Sequence, residues 1–194
     1  LDNPMKAKED ISEQDLSQDR SAAMQGAPPT RRTVWTAKQQ IVRLLWGTVG
    51  KLIWICCPCA RSKVLRLFGA KIGRGCSFAR TVEIVVPWNL VVGDECHVAE
   101  QVILYTLGAI TLGHRVRIDT RAHLCAGSHD MRDTTFPLIR PPISIGDDSF
   151  IGVDAYISPN ISLGANTIVY PRASVYKNYD GDVSLQGNPA RPIK

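Results

Sequence analysis

The sequence has few aromatic residues and no stretch in which aromatic and basic side chains alternate along one face. Aromatic residues make up 7% of the 194 residues, and the formal net charge is a modest +5. Proteins that bind nucleic acids usually carry a clustered basic patch or stripe. The composition therefore argues against a nucleic-acid partner, while it fits an anionic small ligand and a membrane surface equally well.

The six cysteines do not have the spacing of a metal site or of a disulfide framework. Cys56, Cys57 and Cys59 are crowded together, and no second pair follows at zinc-finger spacing. Cys76 and Cys96 fall in a column of inward-facing small residues, where a thiol behaves as a small hydrophobe. We therefore expect no metal ion, and we expect the thiols to pack or to stay inert.

No apolar run is long enough to cross a membrane. The most apolar block, residues 34–57, is interrupted by Lys38, Arg43 and Lys51 and falls short of the ~20 apolar residues that a spanning helix needs. It predicts one or two amphipathic helices packed outside the main domain, and the alternative is an interfacial helix that lies on a membrane. Since no signal-peptide pattern is present, we expect a cytoplasmic protein, or one at the inner face of the membrane if this block binds lipid.

The first 30 residues have few aliphatic side chains and contain a Pro28-Pro29 step. Such a segment buries too little apolar surface to offset its ordering entropy, so residues 1–30 are predicted to be disordered. The predicted organisation continues with N-terminal helices over residues 31–68 and a β domain with a C-terminal tail over residues 69–194.

A six-residue repeat dominates the β domain. Near the C-terminus, aliphatic residues recur at every sixth position: Ile145, Ile151, Ile157, Leu163, Val169 and Val175. A small or aliphatic residue stands two positions before each of them. Residues two apart in a strand share a face, so each pair points inward. The frequent glycine after the aliphatic residue is interpreted as a corner that needs unusual torsion angles. A six-residue period predicts a parallel β-helix.

The same period appears earlier, with a step of eight between successive triplets. The triplets are Ile72, Phe78 and Ile84, then Val92, Val98 and Leu104, then Leu112, Ile118 and Leu124. We interpret each step of eight as one longer corner per coil. Three faces per coil predict a triangular prism with an aliphatic axis.

The repeat is interrupted once, and a candidate catalytic residue stands there. Residues 127–142, GSHDMRDTTFPLIRPP, predict a loop extruded from a corner of the prism. His129 lies at the start of this loop, whereas His97, His114 and His123 are expected to be exposed structural residues on the prism. A neutral imidazole can take a proton from a hydroxyl at neutral pH, as acyl transfer to an alcohol requires.

Residues 67–194 resemble the hexapeptide-repeat acyltransferases, and within them the colanic acid biosynthesis acetyltransferases. The matching phrases are LRLFGAKIG at 65–73, PWNL at 87–90, LCAGSHD at 124–130, PPISIGDDSFIG at 141–152 and GNPARPIK at 187–194. The resemblance implies a left-handed prism, an exception to the usual handedness of parallel crossovers. It also implies a homotrimer with sites between subunits and transfer of acetyl from acetyl-CoA to a sugar hydroxyl in exopolysaccharide or surface-glycan biosynthesis.

The resemblance assigns roles to seven residues. His129 matches the general base, and Glu100 is a candidate for binding the acceptor sugar, which we expect to be lipid- or nucleotide-linked. Phe150 replaces the Trp that relatives commonly place against the cofactor arm. The remaining residues match positions near acetyl-CoA: Gly152, Lys177, Arg191 and Lys194.

Three alternatives stay open at this point. The acceptor can be the amino group of an amino sugar or an antibiotic. A metal enzyme like the γ-carbonic anhydrases needs three histidines on zinc, but His97, His123 and His129 precede different faces of one prism. A non-catalytic scaffold is the third alternative, and the loop and the basic C-terminal residues argue against it.

Overall fold

The structure is a computed structural model, and it describes residues 35–131 and 133–193. The segment predicted to be disordered, residues 1–30, and Lys194 both lie outside the described residues. The described chain forms the predicted left-handed parallel β-helix, preceded by short helices. Short strands stack from coil to coil into three sheets, which we call face 1, face 2 and face 3.

Face 1 contains five parallel strands: β1 (Lys71–Ile72), β4 (Leu90–Val92), β7 (Ile110–Leu112), β12 (Ile143–Ile145) and β15 (Ser162–Leu163). Face 2 contains six parallel strands and ends in the antiparallel β19: β2 (Ser77–Phe78), β5 (His97–Val98), β8 (Arg117–Ile118), β13 (Phe150–Ile151), β16 (Ile168–Val169), β18 (Ser184–Gln186) and β19 (Arg191–Ile193). Face 3 contains five parallel strands: β3 (Glu83–Ile84), β6 (Ile103–Tyr105), β9 (His123–Cys125), β14 (Tyr156–Ile157) and β17 (Ser174–Val175).

The residues predicted to face inward form the core of the prism. Every residue of the six-residue column is buried, and the most exposed of them, Ile72, is 8% exposed. The column two positions earlier is also buried, except that Cys76 is only partly so. Each large aliphatic side chain buried in this way contributes roughly 1.5–3 kcal/mol.

The prediction about corner glycines needs a correction. Gly146, Gly152 and Gly164 do not have positive φ angles, and the left-handed corner conformation instead falls on non-glycine residues such as Asp148 and Asp154. A Cβ atom on Gly152 would lie 2.7 Å from the Pro171 nitrogen in the next coil. These glycines are therefore required by the close approach of neighbouring coils, since backbone atoms there leave no room for a side chain.

The longer corners all lie on the edge between face 3 and face 1, which we call the 3–1 edge. Pairing of Lys71 with Val91 and of Val91 with Thr111 shows a 20-residue coil in the first half of the prism. Thr111 then pairs with Ser144 because the predicted loop leaves the prism at this edge, between β9 and β12. The extruded segment is thus an enlargement of a corner that is already longer in the preceding coils.

The helical segment packs against the first coils, as predicted. It consists of α1 (Ala37–Leu45), a π-helical turn (Trp46–Gly50), α2 (Lys51–Cys56), a 3-10 turn (Pro58–Ala60) and α3 (Arg61–Leu67). A capping box of Thr36 and Gln39 begins α1. No helix in the described ranges is both long and apolar enough to cross a membrane.

Two tryptophans anchor this segment to the prism. Trp46 and Trp54 are each 4% exposed and donate their indole N–H groups to the carbonyl oxygens of Ile84 and Arg80, both at 2.9 Å. Because each ring is buried with its donor satisfied, the anchor combines apolar burial with a hydrogen bond.

Candidate active site

The extruded segment is a β-hairpin, which the sequence did not predict. Strand β10 (Ser128–His129) pairs antiparallel with β11 (Leu138–Ile139), and His129 is opposite Leu138. The peptide N–H of Asp130 donates to the carbonyl oxygen of Pro137 at 3.0 Å. His129 therefore stands on a paired strand at the base of the hairpin, and its backbone position is fixed by the ladder.

The imidazole of His129 has its tautomer set by Phe136. Its Nδ1 lies 2.8 Å from the Phe136 carbonyl oxygen, and the two rings stack with centroids 4.5 Å apart and planes 6° from parallel. Because a carbonyl oxygen only accepts, Nδ1 carries the proton of the neutral ring, and the lone pair of that tautomer is on Nε2. The ring is thus held in the form in which Nε2 can accept a proton.

A turn at the tip of the hairpin holds Phe136 in place. The Asp133 carboxylate accepts hydrogen bonds from the Thr135 N–H at 2.8 Å and from the Thr135 hydroxyl at 2.7 Å, and these bonds lower the pKa of Asp133. The Phe136 N–H donates to the Asp133 carbonyl oxygen at 2.8 Å. The Asp-x-Thr spacing is the sequence signal that could have indicated this turn.

The base of the hairpin, just after β11, is braced by the start of the helical segment. The Arg140 guanidinium lies 4.0 Å from the Trp35 ring centroid, and Arg43 lies 5.0 Å from the same centroid. Trp88 packs edge-on against Trp35 at 5.8 Å. Sequence reasoning missed this contact because residues 35 and 140 share no periodic pattern.

Lys177 lies on the same edge of the prism as the hairpin. It follows β17 and precedes Tyr179, which bridges to Leu163 on face 1, so it is at the 3–1 edge. Strand β17 is two strands beyond β9 on face 3, and strand spacing places the two corners about 10 Å apart. The side chain of Lys177 is exposed. His129 and Lys177 are therefore brought to one edge.

The structure places the other predicted residues elsewhere. Phe150 is half-buried on β13 of face 2, in register with Arg117 and Ile168. Gly152 and Glu100 stand at corners between face 2 and face 3, which we call the 2–3 edge, and the carboxylate of Glu100 accepts a hydrogen bond from the Thr81 hydroxyl.

Arg191 is exposed on β19, the last strand of face 2, opposite Gln186. The two edges border face 3, whose six-residue period spans roughly 20 Å of extended chain. One subunit therefore does not bring Glu100 to His129.

The histidines other than His129 do not converge with it. Ser77 Oγ lies 2.6 Å from His97 Nδ1 on face 2, and His114 accepts a hydrogen bond from the Asp94 N–H at 3.0 Å. Among the described residues, no three His, Cys, Asp or Glu side chains lie close enough to hold a metal ion.

His123 differs from its predicted exposed state. It points outward from face 3 but is half-buried between Tyr105 and Tyr156, with ring centroids at 6.3 Å and 5.6 Å. Burial lowers the pKa of His123 and raises that of Tyr156 to about 12. Tyr176 extends the row at 6.0 Å from Tyr156. Only His123 and Tyr156 are in register, 33 residues apart across the extruded segment, so the 20-residue repeat does not reveal this row.

Comparison with known proteins identifies the family. The family described as the hexapeptide repeat of succinyl-transferase matches residues 142–170. A putative colanic acid biosynthesis acetyltransferase, WcaF of Escherichia coli strain K12, is 38% identical over 154 residues, which are 77% of this chain and 85% of the relative. The chain belongs to the hexapeptide-repeat acetyltransferases.

Other acetyltransferases agree with this assignment. The galactoside O-acetyltransferase of E. coli is 25% identical over 159 residues, or 81% of this chain and 68% of the relative. A hexapeptide-repeat acetyltransferase of Vibrio cholerae solved with acetyl coenzyme A has a TM-score of 0.76 at 22% identity and covers 82% of this chain and 89% of the other. Like its family, this hexapeptide-repeat acetyltransferase uses acetyl-CoA as the acetyl donor.

Proposed function

We propose that the protein transfers acetyl from acetyl-CoA to a hydroxyl group of a sugar, with His129 as the general base. The observation that carries this proposal is the hydrogen bond from His129 Nδ1 to the Phe136 carbonyl oxygen at 2.8 Å, which leaves Nε2 as a proton acceptor. A sugar hydroxyl is protonated at neutral pH, so its attack on an acyl group is accelerated by a base within hydrogen-bond reach.

In this proposal the chain supplies one proton relay and a set of binding contacts. His129 Nε2 takes the proton from the acceptor hydroxyl, and it returns that proton to the departing sulfur. The stacked Phe136 ring and the bond at Nδ1 keep the imidazole in one orientation during both transfers. Acetyl-CoA supplies the thioester, whose acyl group an alcohol can accept.

The described residues fit acetyl-CoA. Phe150 is adjacent to Ile168, which is 42% exposed, and together they offer an apolar surface on face 2 for the pantetheine arm. Lys177 and Arg191 are exposed cations suited to charge-assisted bonds with the nucleotide phosphates. We assign Gly152 to the same region, and Lys194, outside the described residues, to the phosphates as well.

A shared site between subunits of a homotrimer explains why the candidates lie on two edges. His129 and Lys177 stand on the 3–1 edge, whereas Glu100 and Gly152 stand on the 2–3 edge. In a ring of identical subunits, the 3–1 edge of one subunit can meet the surface of its neighbour that carries Glu100 and Gly152. Glu100 is then available to accept a hydrogen bond from a sugar hydroxyl across the interface.

The acceptor is proposed to be a sugar of a surface polysaccharide, lipid-linked or nucleotide-linked, in the cytoplasm or at the inner face of the membrane. Support comes from the names of the relatives, one a colanic acid biosynthesis protein and one a galactoside O-acetyltransferase. Acetyl-CoA turnover against free, nucleotide-linked and polyprenyl-linked sugars tests the acceptor. Turnover only with amino sugars would instead support N-acetylation.

The base is tested with His129→Ala. We expect acetyl transfer to fall by about 10²–10⁴-fold, the usual cost of losing a general base. Coenzyme A binding, measured by isothermal titration, should change little because His129 is proposed to contact the acceptor hydroxyl and not the cofactor. The matched control is His114→Ala, at a corner of the prism, which should keep the parent's turnover.

Lys177→Ala should weaken coenzyme A binding. The matched control, Lys71→Ala on the first coil, should leave that binding unchanged. If folded His129→Ala turned over within a few-fold of the parent, His129 would not be the base.

A further inference from the structure

The N-terminal helices expose an apolar row, and one of its members, Leu44, also lines a cleft beside Ile84 and Val85 of the prism. We call this row the outer stripe, and its members are between 46% and 68% exposed: Ile41, Leu44, Leu45, Val49, Leu52 and Ile55. The spacing of three to four residues keeps them on one side of the helical segment. Large aliphatic side chains at this exposure form a patch of the kind that usually marks an interaction surface.

The opposite side of the same segment is already occupied. Trp46, Gly50 and Trp54 recur at intervals of four and are all buried against the prism. An α-helix has 3.6 residues per turn, so residues spaced four apart move gradually around its axis. The π-helical turn from Trp46 to Gly50 has more residues per turn and keeps these three residues on one side. The segment is therefore held in one rotation, and the outer stripe is held outward.

The segment that carries the outer stripe is basic, and the next acidic residue along the chain, Glu83 of the prism, lines a cleft with Leu44 and Lys51. Between Trp35 and Val82 the chain has no Asp or Glu and nine basic residues: Lys38, Arg43, Lys51, Arg61, Lys63, Arg66, Lys71, Arg74 and Arg80. Lys38 and Lys51 are exposed and stand on the same helices as the stripe. An apolar row flanked by cations complements a surface with an apolar interior and anionic headgroups.

We propose that the outer stripe is a membrane-docking surface that inserts into the interface of a bilayer containing anionic lipids. No described helix is both long and apolar enough to cross a bilayer, so in this proposal the helices lie in its plane. The stripe contains only Ile, Leu and Val, whereas protein interfaces are enriched in aromatic residues, Met and Arg. This composition favours lipid over a protein partner.

The docked helices would also hold the hairpin close to the membrane. Trp35, at the start of the segment, contacts Arg140 at the end of the hairpin that carries His129. An acceptor carried on a lipid would then be presented near the loop. The docking itself does not depend on the proposed acetyl transfer, and it is measured without any turnover.

Vesicle co-sedimentation of the full chain tests the proposal. The parent should bind vesicles of phosphatidylcholine mixed with phosphatidylglycerol more tightly than vesicles of phosphatidylcholine alone, and salt should weaken the binding. Leu44→Gln/Leu52→Gln should lower binding at least tenfold. Both side chains are more than 60% exposed, at 68% and 64%, so folding should be retained. The matched control, Tyr170→Gln/Ile193→Gln, removes two exposed apolar side chains from the prism and should bind as the parent does.

The charges are tested separately with Lys38→Gln/Lys51→Gln. Each cation near an anionic surface contributes roughly fivefold to binding, so the double variant should lose about 25-fold on the anionic vesicles only. The proposal is overturned if the parent binds neither vesicle, or if the Leu44→Gln/Leu52→Gln variant binds like the parent. It is also overturned if light scattering shows that the stripe instead joins copies of the chain into larger particles that the same variant dissolves.

Discussion

Gly152 shows how a single residue can be fixed by the neighbouring coil. A Cβ atom at this position would lie 2.7 Å from the Pro171 nitrogen and 2.8 Å from the Val169 carbonyl oxygen. Both are backbone atoms of the next coil, which cannot move without disturbing the stack. The glycine is therefore needed for packing, independently of its proposed place near acetyl-CoA.

Gly152→Ala should destabilise the protein by about 1–3 kcal/mol, as overpacking usually does. For a domain of this size the melting temperature falls by roughly 2–4 °C per kcal/mol. Gly47→Ala is the control, because nothing lies within 4 Å of a Cβ atom there and alanine favours the helix. Calorimetry of the two variants should give shifts of opposite sign. An unchanged melting temperature in Gly152→Ala would refute the packing argument.

His123 should make stability depend on pH. Burial between Tyr105 and Tyr156 lowers its pKa below the ordinary value of 6.5, so the folded protein keeps the ring neutral where the unfolded chain binds a proton. Stability is therefore full above pH 6.5 and falls as the pH drops toward the folded pKa. His123→Phe should remove this part of the dependence. Melting temperatures measured above and below pH 6.5 test this prediction. An equal change of melting temperature with pH in the parent and in His123→Phe would contradict the argument.

At the scale of single elements, the sequence located the hairpin but did not reveal its form. The six-residue period ends at Leu124 and resumes at Ile143, so the boundaries of the insertion could be predicted from the missing repeat. The pairing of Ser128 with Ile139 rests on two-residue strands, which are too short to produce an alternating pattern. The acceptor of the His129 hydrogen bond, the Phe136 carbonyl oxygen, was unpredictable for the same reason.

The turn at the hairpin tip should influence catalysis through Phe136. Asp133→Ala removes the acceptor for both Thr135 bonds and loosens the Phe136 carbonyl that orients His129. We expect kcat to fall about tenfold, since small displacements of a catalytic group are costly, with little change in the KM for acetyl-CoA. Asp133→Asn should restore most of the rate, because its side-chain oxygen can accept the same bonds. If Asp133→Asn did not restore the rate, the negative charge of the carboxylate would matter instead of its hydrogen bonds.

At the scale of the whole molecule, the prism follows from the sequence and the site does not. Repeating inward residues specify each coil locally, so the period alone predicts three faces and their stacking. The site depends on contacts between distant parts of the chain, such as Trp35 with Arg140, and on the separation of Glu100 from His129 across face 3. No local pattern encodes either feature.

The proposed division of the site between subunits can be tested by mixing two inactive variants. His129→Ala removes the base on the 3–1 edge, and Phe150→Glu places a negative charge at the outward position of β13 on face 2, which disrupts the apolar surface proposed for the pantetheine arm. If each site takes His129 from one subunit and Phe150 from its neighbour, a random mixture restores both residues at one interface in four. Co-expressed variants should then recover about a quarter of the parent's turnover. Separately purified variants that are mixed without subunit exchange serve as the control. If the co-expressed mixture remained inactive while native mass spectrometry showed mixed trimers, both residues would belong to one subunit's site.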